Sequence, residues 1–226
     1  MDNICYFYNY HIKKGANIVP YNLSKRLVIG LSSSALFDLS ESDNVFRTEG
    51  EEIYRKYQRE KQNHPLEKGV AFPFIKKLLT INEINPLDPP IEVILLSRND
   101  PDTGLRVMNS IEAHQLNITR ALFLQGRTPH KYIDALSIDL FLSANEVDVK
   151  QAIIAGYPAG QVLTSHIEDN LFNDQELRVA LDFDGVLIDD TSEKIYENKG
   201  IQSFHEYELE HSEEAHKPGP LPHFLK

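Results

Sequence analysis

The chain has 226 residues, 41% hydrophobic and 25% charged, enough to bury a core in one large domain or two small ones. A formal net charge of −11 and a pI of about 5.3 repel polyanions and argue against a broad nucleic-acid face. One cysteine, Cys5, cannot form an intrachain disulfide, which fits a reducing compartment, and no apolar run approaches the roughly 18 residues that span a bilayer.

Residues 1–24 are polar and aromatic without a period and read as an N-terminal extension. Met1 to His11 lacks a basic start and a small-residue cleavage site, so no signal peptide is expected and the default location is cytoplasmic. Leu27–Leu31 is a short apolar run that predicts a buried strand. Ser40 to Gln62 is charged, with Phe46, Ile53, Tyr54 and Tyr57 at helical spacing, and predicts one or two amphipathic helices. Helix continues over Phe74–Leu79. A proline-rich turn leads to a second strand at Ile91–Leu96. Leu105–His114 reads as a helix, Ala121–Leu124 and Ile138–Leu142 as strands, Val147–Ala155 as a helix closed by Gly156, and Gln161–Leu163 as a short strand. Alternating strands and helices imply an α/β fold with a parallel sheet.

A new strand is expected at Leu177–Leu181, with Asp182 and Asp184 at its carboxyl end, where open α/β sheets bind ligands. Asp190 and Glu193 resemble a capping pair that opens a helix. The segment from Leu177 to Lys226 also repeats the one from Arg26 to Lys76. Phe46 matches Tyr196, Gly50 matches Gly200, Tyr54 matches Phe204, Tyr57 matches Tyr207 and Gly69 matches Gly219. A slip of one residue upstream aligns Leu36 with Leu187 and Asp38 with Asp189. Asp182 then falls opposite Leu31, and Asp184 opposite Ser33. The expected organisation is an extension (1–24), a first unit without the carboxylates (25–165), and the start of a second unit that carries them (177–226).

Residues i and i+2 at a strand end point the same way. One carboxylate can attack phosphorus to form an aspartyl phosphate, while its neighbour protonates the leaving oxygen and then activates water. Magnesium would offset the repulsion between carboxylate and phosphate. Gly185 would let the backbone approach the phosphate.

The run Ala180-Leu-Asp-Phe-Asp-Gly-Val-Leu187 resembles the first motif of the haloacid dehalogenase (HAD) superfamily. The wider chain is similar to the cytosolic 5′-nucleotidase type I family. The matching stretches are Ile29–Leu39, Leu96–Arg106 and Asp139–Glu146. The resemblance implies a HAD-like parallel sheet flanked by helices, with a small helical insert and the start of a second repeat unit. It implies magnesium-dependent hydrolysis of nucleoside 5′-monophosphates of the AMP or IMP type. Asp182 would be nucleophile and metal ligand. Asp184 would be the general acid/base, with its carbonyl on the metal. Gly185, Ser97, Arg98 and Asn99 would contact substrate, and Lys131 is a first-unit counterpart of the family's lysine. Ser143 and Ala144 stand where the family's acids should hold magnesium, and Asp148 is the nearest carboxylate. The alternative is a truncated pseudoenzyme or a nucleotide-binding module without catalysis, and a homo-oligomer is also compatible.

Blander readings compete at each place. Ser32-Ser-Ser34 lacks the Gly-x-Ser-x-Gly elbow and reads as a turn opening a helix. Ser97-Arg-Asn99 can equally be a strand-end turn with a surface arginine. His205, His211, His216 and His223 share no helical face or zinc spacing and read as solvated. The aromatics at 54, 57, 204 and 207 read as packing.

Overall fold

The apolar run Leu27–Leu31 forms a strand at the middle of the sheet, as its pattern predicts. A computed structural model describes residues 6–9, 22–163, 174 and 176–221. The chain divides into two units, Met1–Leu177 and Arg178–Lys226.

In the first unit the strands are β1 (Tyr6–Asn9), β2 (Leu27–Leu31), β3 (Ile91–Ser97), β4 (Arg120–Phe123), β5 (Leu140–Ser143) and β6 (Ala159–Gln161). Their spatial order is β1-β4-β3-β2-β5-β6. β2 through β6 are parallel, and β1 joins β4 antiparallel. The α/β class and parallel sheet agree with the expectation. β1 departs from it, because by sequence Tyr6–Asn9 belongs to an irregular extension. Its four residues are too short for a period to show, and pairing with β4 supplies their backbone partners.

The helices are a single turn α1 (Ser33–Leu36), α2 (Ser40–Glu49), α3 (Glu51–Glu60), α4 (Phe72–Thr80), α5 (Pro101–Ala113) and α6 (Glu146–Ile154). Among the described residues no helix is long and apolar enough to cross a membrane. β3 is buried along its whole length, as a strand covered on both faces must be. Val28, Ile94, Leu96, Leu122 and Phe141 pack into one core cluster. Each such side chain contributes about 1.5–3 kcal/mol by leaving water. The start of β3 is tied down by Asn82, whose amide donates to Ile91 O (2.9 Å) and accepts from Ile91 N (2.9 Å). Asn82→Ala strands both backbone groups at a buried position. It is expected to cost the first unit about 1–3 kcal/mol, read from the hydrogen exchange of β3.

The second unit holds a tight turn at Phe183–Leu187, then α7 (Thr191–Lys199) and α8 (Ile201–Glu210). It repeats the α2–α3 hairpin, with α7 one residue shorter than α2. Gly50 and Gly200 join the helices at φ 83 and 82, each with ψ 177. Phe46 and Tyr54 meet edge-on at 5.3 Å, as Tyr196 and Phe204 do at 6.3 Å. Gly69 N donates to Leu36 O in one unit, and Gly219 N to Leu187 O in the other. At both glycines a Cβ would fall within 3 Å of backbone, so only glycine admits that crossing.

Two expectations for this unit are corrected. Leu177–Leu181 forms no strand, for an apolar run carries no information about whether a neighbour is there to pair with. Asp190 precedes α7, but its side chain makes no capping bond. Its backbone (φ −96, ψ 22) lies outside the extended region that capping requires, and its carboxylate pairs with Lys194 at 2.8 Å. That pairing holds the Asp190 carboxyl below its usual range.

Candidate functional site

Asp182, Asp184 and Gly185 lie on one tight turn of the second unit. Asp182 is extended (φ −69, ψ 148), and its Oδ1 accepts from Phe183 N at 2.8 Å. Asp184 is also extended (φ −74, ψ 132), and Gly185 turns the chain at φ 71, ψ −3. Ile188 N donates back to Phe183 O at 3.0 Å and closes the turn. Both carboxylates are exposed. Two carboxylates and a nearby carbonyl form an all-oxygen donor set, which suits magnesium because that ion takes one or two carboxylates and keeps several waters. Among the described residues no group of three or more His, Cys, Asp or Glu side chains converges as a metal cage. A Cβ on Gly185 would lie 3.6 Å from Asp190 Cβ and 3.9 Å from Glu193 Oε2. Glu193 therefore borders the turn, a role hidden by its resemblance to a capping residue.

The first unit shows what the same position becomes without acids. Leu31 and Ser33 are buried. Ser32 caps α1 by accepting from Ala35 N at 3.2 Å, so the serine run is a helix start as read from the sequence. Ser97, at the end of β3, shares a 2.8 Å hydrogen bond with Ser33 and accepts from Asn99 N at 3.2 Å. Asn99 Nδ2 donates to Ser33 Oγ at 3.1 Å. Arg98 Nε donates to both oxygens of Asp148 (2.9 and 3.1 Å), and its Nη2 reaches Oδ1 as well. The Asp148 carboxylate is buried, while Arg98 is about one-third exposed. Asp148 N is held by Asn145 Oδ1 at 3.1 Å, and Ser143 is fully buried beneath. Lys131 stands exposed on a short 3-10 turn, Pro129–Tyr132.

Above the ends of β3 and β4 opens a cavity of about 450 Å³. Arg98 and Asn99 form its floor, with Phe46, Tyr54 and Arg55 of the helical hairpin opposite. Arg55 pairs with Glu51 (2.8 Å) and Asp100 (3.5 Å). Tyr54 Oη accepts from Thr103 Oγ1 at 2.9 Å, and burial pushes its phenol above the usual range. By sequence Tyr54 reads as packing, and nothing in the sequence marks Phe46 and Arg55 as lining a cavity. Only the hairpin's placement over the strand ends brings them there.

Comparison with known proteins identifies the family. A family model described as 5′-nucleotidase matches residues 19–226. The chain is 32% identical over 212 residues to cytosolic 5′-nucleotidase 1B of Homo sapiens. That match covers 92% of this chain and 35% of that protein, so the chain spans about a third of the relative's length. Among solved structures, the HAD domain of effector protein Lem4 from Legionella pneumophila matches with a TM-score of 0.36 and 13% identity. That match covers 61% of this chain and 85% of the Lem4 chain. By the family match and the identity to the human enzyme, the chain belongs to the 5′-nucleotidase family.

Proposed function

We propose that the chain carries the nucleophile turn of a magnesium-dependent 5′-nucleotidase acting on nucleoside monophosphates of the AMP or IMP type. The observation behind this reading is the pair Asp182 and Asp184 on a glycine-closed turn, ahead of a helical hairpin that repeats the one in the first unit. A carboxylate oxygen of Asp182 attacks phosphorus, and the bond from phosphorus to the 5′ oxygen breaks. Asp184 gives its proton to that leaving oxygen. Asp184 then takes a proton from water as the water oxygen attacks phosphorus, and phosphate leaves Asp182. Magnesium, held by Asp182 and the Asp184 carbonyl, would supply neutralisation of phosphate charge. Gly185 leaves room for the phosphate beside the backbone. The cytosolic location named for the human relative is proposed for this chain as well.

The test is phosphate release from AMP and IMP by the purified chain, with and without magnesium. Magnesium-dependent release supports the reading. A folded sample that releases none overturns it for this chain.

The cavity of the first unit favours a second reading, a nucleotide-binding module without catalysis. Asn99 and Arg98 would contact the ligand, Ser97 would hold Asn99 in place, and Phe46 would offer a ring face to the base. AMP binding that weakens in Phe46→Ala, with no phosphate release, would favour this second reading over the first.

A further inference from the structure

The cavity above the ends of β3 and β4 has an uneven balance of donors and acceptors. Two arginines line it, and both are already paired. Arg98 is held by Asp148 through Nε and Nη2, and Arg55 by Glu51 (2.8 Å) and Asp100 (3.5 Å). Backbone N–H groups that could cradle an anion are committed as well. Gln125 N donates to Asn99 O (3.2 Å), Gly126 N to Arg98 O (2.7 Å) and Asn99 N to Ser97 Oγ (3.2 Å). The Asn99 side chain donates through Nδ2 to Ser33 Oγ at 3.1 Å.

The acceptors are less engaged. Asp43 lines the same cavity, and its carboxylate takes no hydrogen bond among the described residues. Glu51 uses only Oε1 for Arg55, and the Asn99 side-chain oxygen stays open. Asp43, Glu51 and Asp100 outnumber the two lining arginines, and the Asp148 carboxylate lies behind Arg98. The site therefore carries excess negative charge. Against these acceptors stand Phe46, half exposed, and Tyr54, with their rings edge-on at 5.3 Å. A volume of about 450 Å³ suits a small molecule.

This chemistry selects a flat ring bearing several hydrogen-bond donors and no negative charge. A phosphate would meet surplus carboxylate, and could pair with either arginine only by displacing a carboxylate that already holds it. Resting on the second reading above, that this cavity takes a ligand, we infer that the ligand is a purine nucleoside without phosphate. The ring lies against Phe46, the ribose hydroxyls donate to Glu51, and the N–H donors of the base reach Asp43 or the Asn99 side-chain oxygen. The cavity thus discriminates against the 5′-monophosphate and in favour of its dephosphorylated product.

The test is amide NMR of the isotope-labelled full chain, titrated in turn with adenosine and with AMP, in EDTA to halt magnesium-dependent turnover. Shifts at Tyr54, Asn99 and Gly126 report this cavity separately from any binding at Asp182 and Asp184. Adenosine is expected to bind there at least about tenfold more tightly than AMP. Added sodium chloride should tighten AMP and leave adenosine unchanged, since salt screens the repulsion. The double variant Asp43→Asn with Glu51→Gln changes two exposed side chains and frees one side of Arg55, so it should bring AMP close to adenosine. Phe46→Ala should weaken both ligands at least about fivefold. AMP binding as tightly as adenosine to the unaltered chain overturns the inference while leaving the cavity a nucleotide site. An adenosine preference that survives unchanged in the double variant also overturns it. If neither ligand moves these amides at about millimolar concentration, the inference and the second reading fall together.

Discussion

Asp182→Asn is expected to reduce phosphate release from AMP by at least about 10⁴-fold, since an amide cannot attack phosphorus and removal of a nucleophile commonly costs this much. The side chain is exposed, and the bond that its Oδ1 accepts from Phe183 N is one that the asparagine oxygen can keep. The unfolding free energy should therefore hold within about 0.5 kcal/mol. Asp184→Asn should cost about 10²–10⁴-fold with AMP. The loss in kcat/KM, which reports on transfer to Asp182 and not on the later attack of water, should be much smaller with p-nitrophenyl phosphate, whose leaving group needs no proton. Steady-state rates with the two substrates separate the roles. Wild-type turnover in Asp182→Asn would remove the nucleophile from the scheme, and an equal loss with both substrates in Asp184→Asn would remove the acid.

Asp148→Ala is expected to destabilise the first unit by about 3 kcal/mol, near the lower end for breaking a buried ion pair. The carboxylate is almost wholly buried and holds Arg98 by two nitrogens, but Arg98 itself is about one-third exposed and can recover some water. The double variant Arg98→Ala with Asp148→Ala should regain part of the loss, because no buried charge then lacks its partner. Hydrogen exchange at β3 and β5 reads the effect within this unit alone. A change under about 1 kcal/mol would mean that the pair does little to hold the strand ends together.

Much of the fold could be read from the residues because burial leaves a periodic trace. The runs at 27–31 and 91–96 are apolar enough to identify themselves as strands; the first has the bounds that its pattern predicts, and the second extends one residue further, to Ser97. The repeat was readable for a different reason. Gly50 with Gly200, and Gly69 with Gly219, occupy positions where backbone torsion or a close crossing admits no side chain, so the glycines mark the same architecture in both copies. What escaped the sequence depends on partners. Leu177–Leu181 looks like a strand, but pairing is a property of two segments. Asp190 looks like a cap, but a cap depends on torsions that Lys194 and the turn set instead. The motif at 180–187 was legible as chemistry because Asp-x-Asp-Gly demands one local shape. The Arg98–Asp148 pair was not, since its partners are fifty positions apart and only the sheet brings them together.

The central place of β2 also sets an order of events during synthesis. Its neighbour β3 begins at Ile91, and its neighbour β5 lies beyond Asp139, whose carboxylate takes a bond from Val28 N across 111 residues. At about 5–20 residues per second, several seconds to tens of seconds pass between the emergence of Val28 and that of Asp139. Throughout that interval a nascent chain exposes an apolar strand with one or both edges bare, which is the form most prone to wrong pairings. The α2–α3 hairpin needs only local contacts and can form meanwhile. Slowing translation after α3 would lengthen the exposure of β2, whereas faster delivery of residues 91–143 would shorten it, so the yield of folded protein should follow codon speed in that stretch.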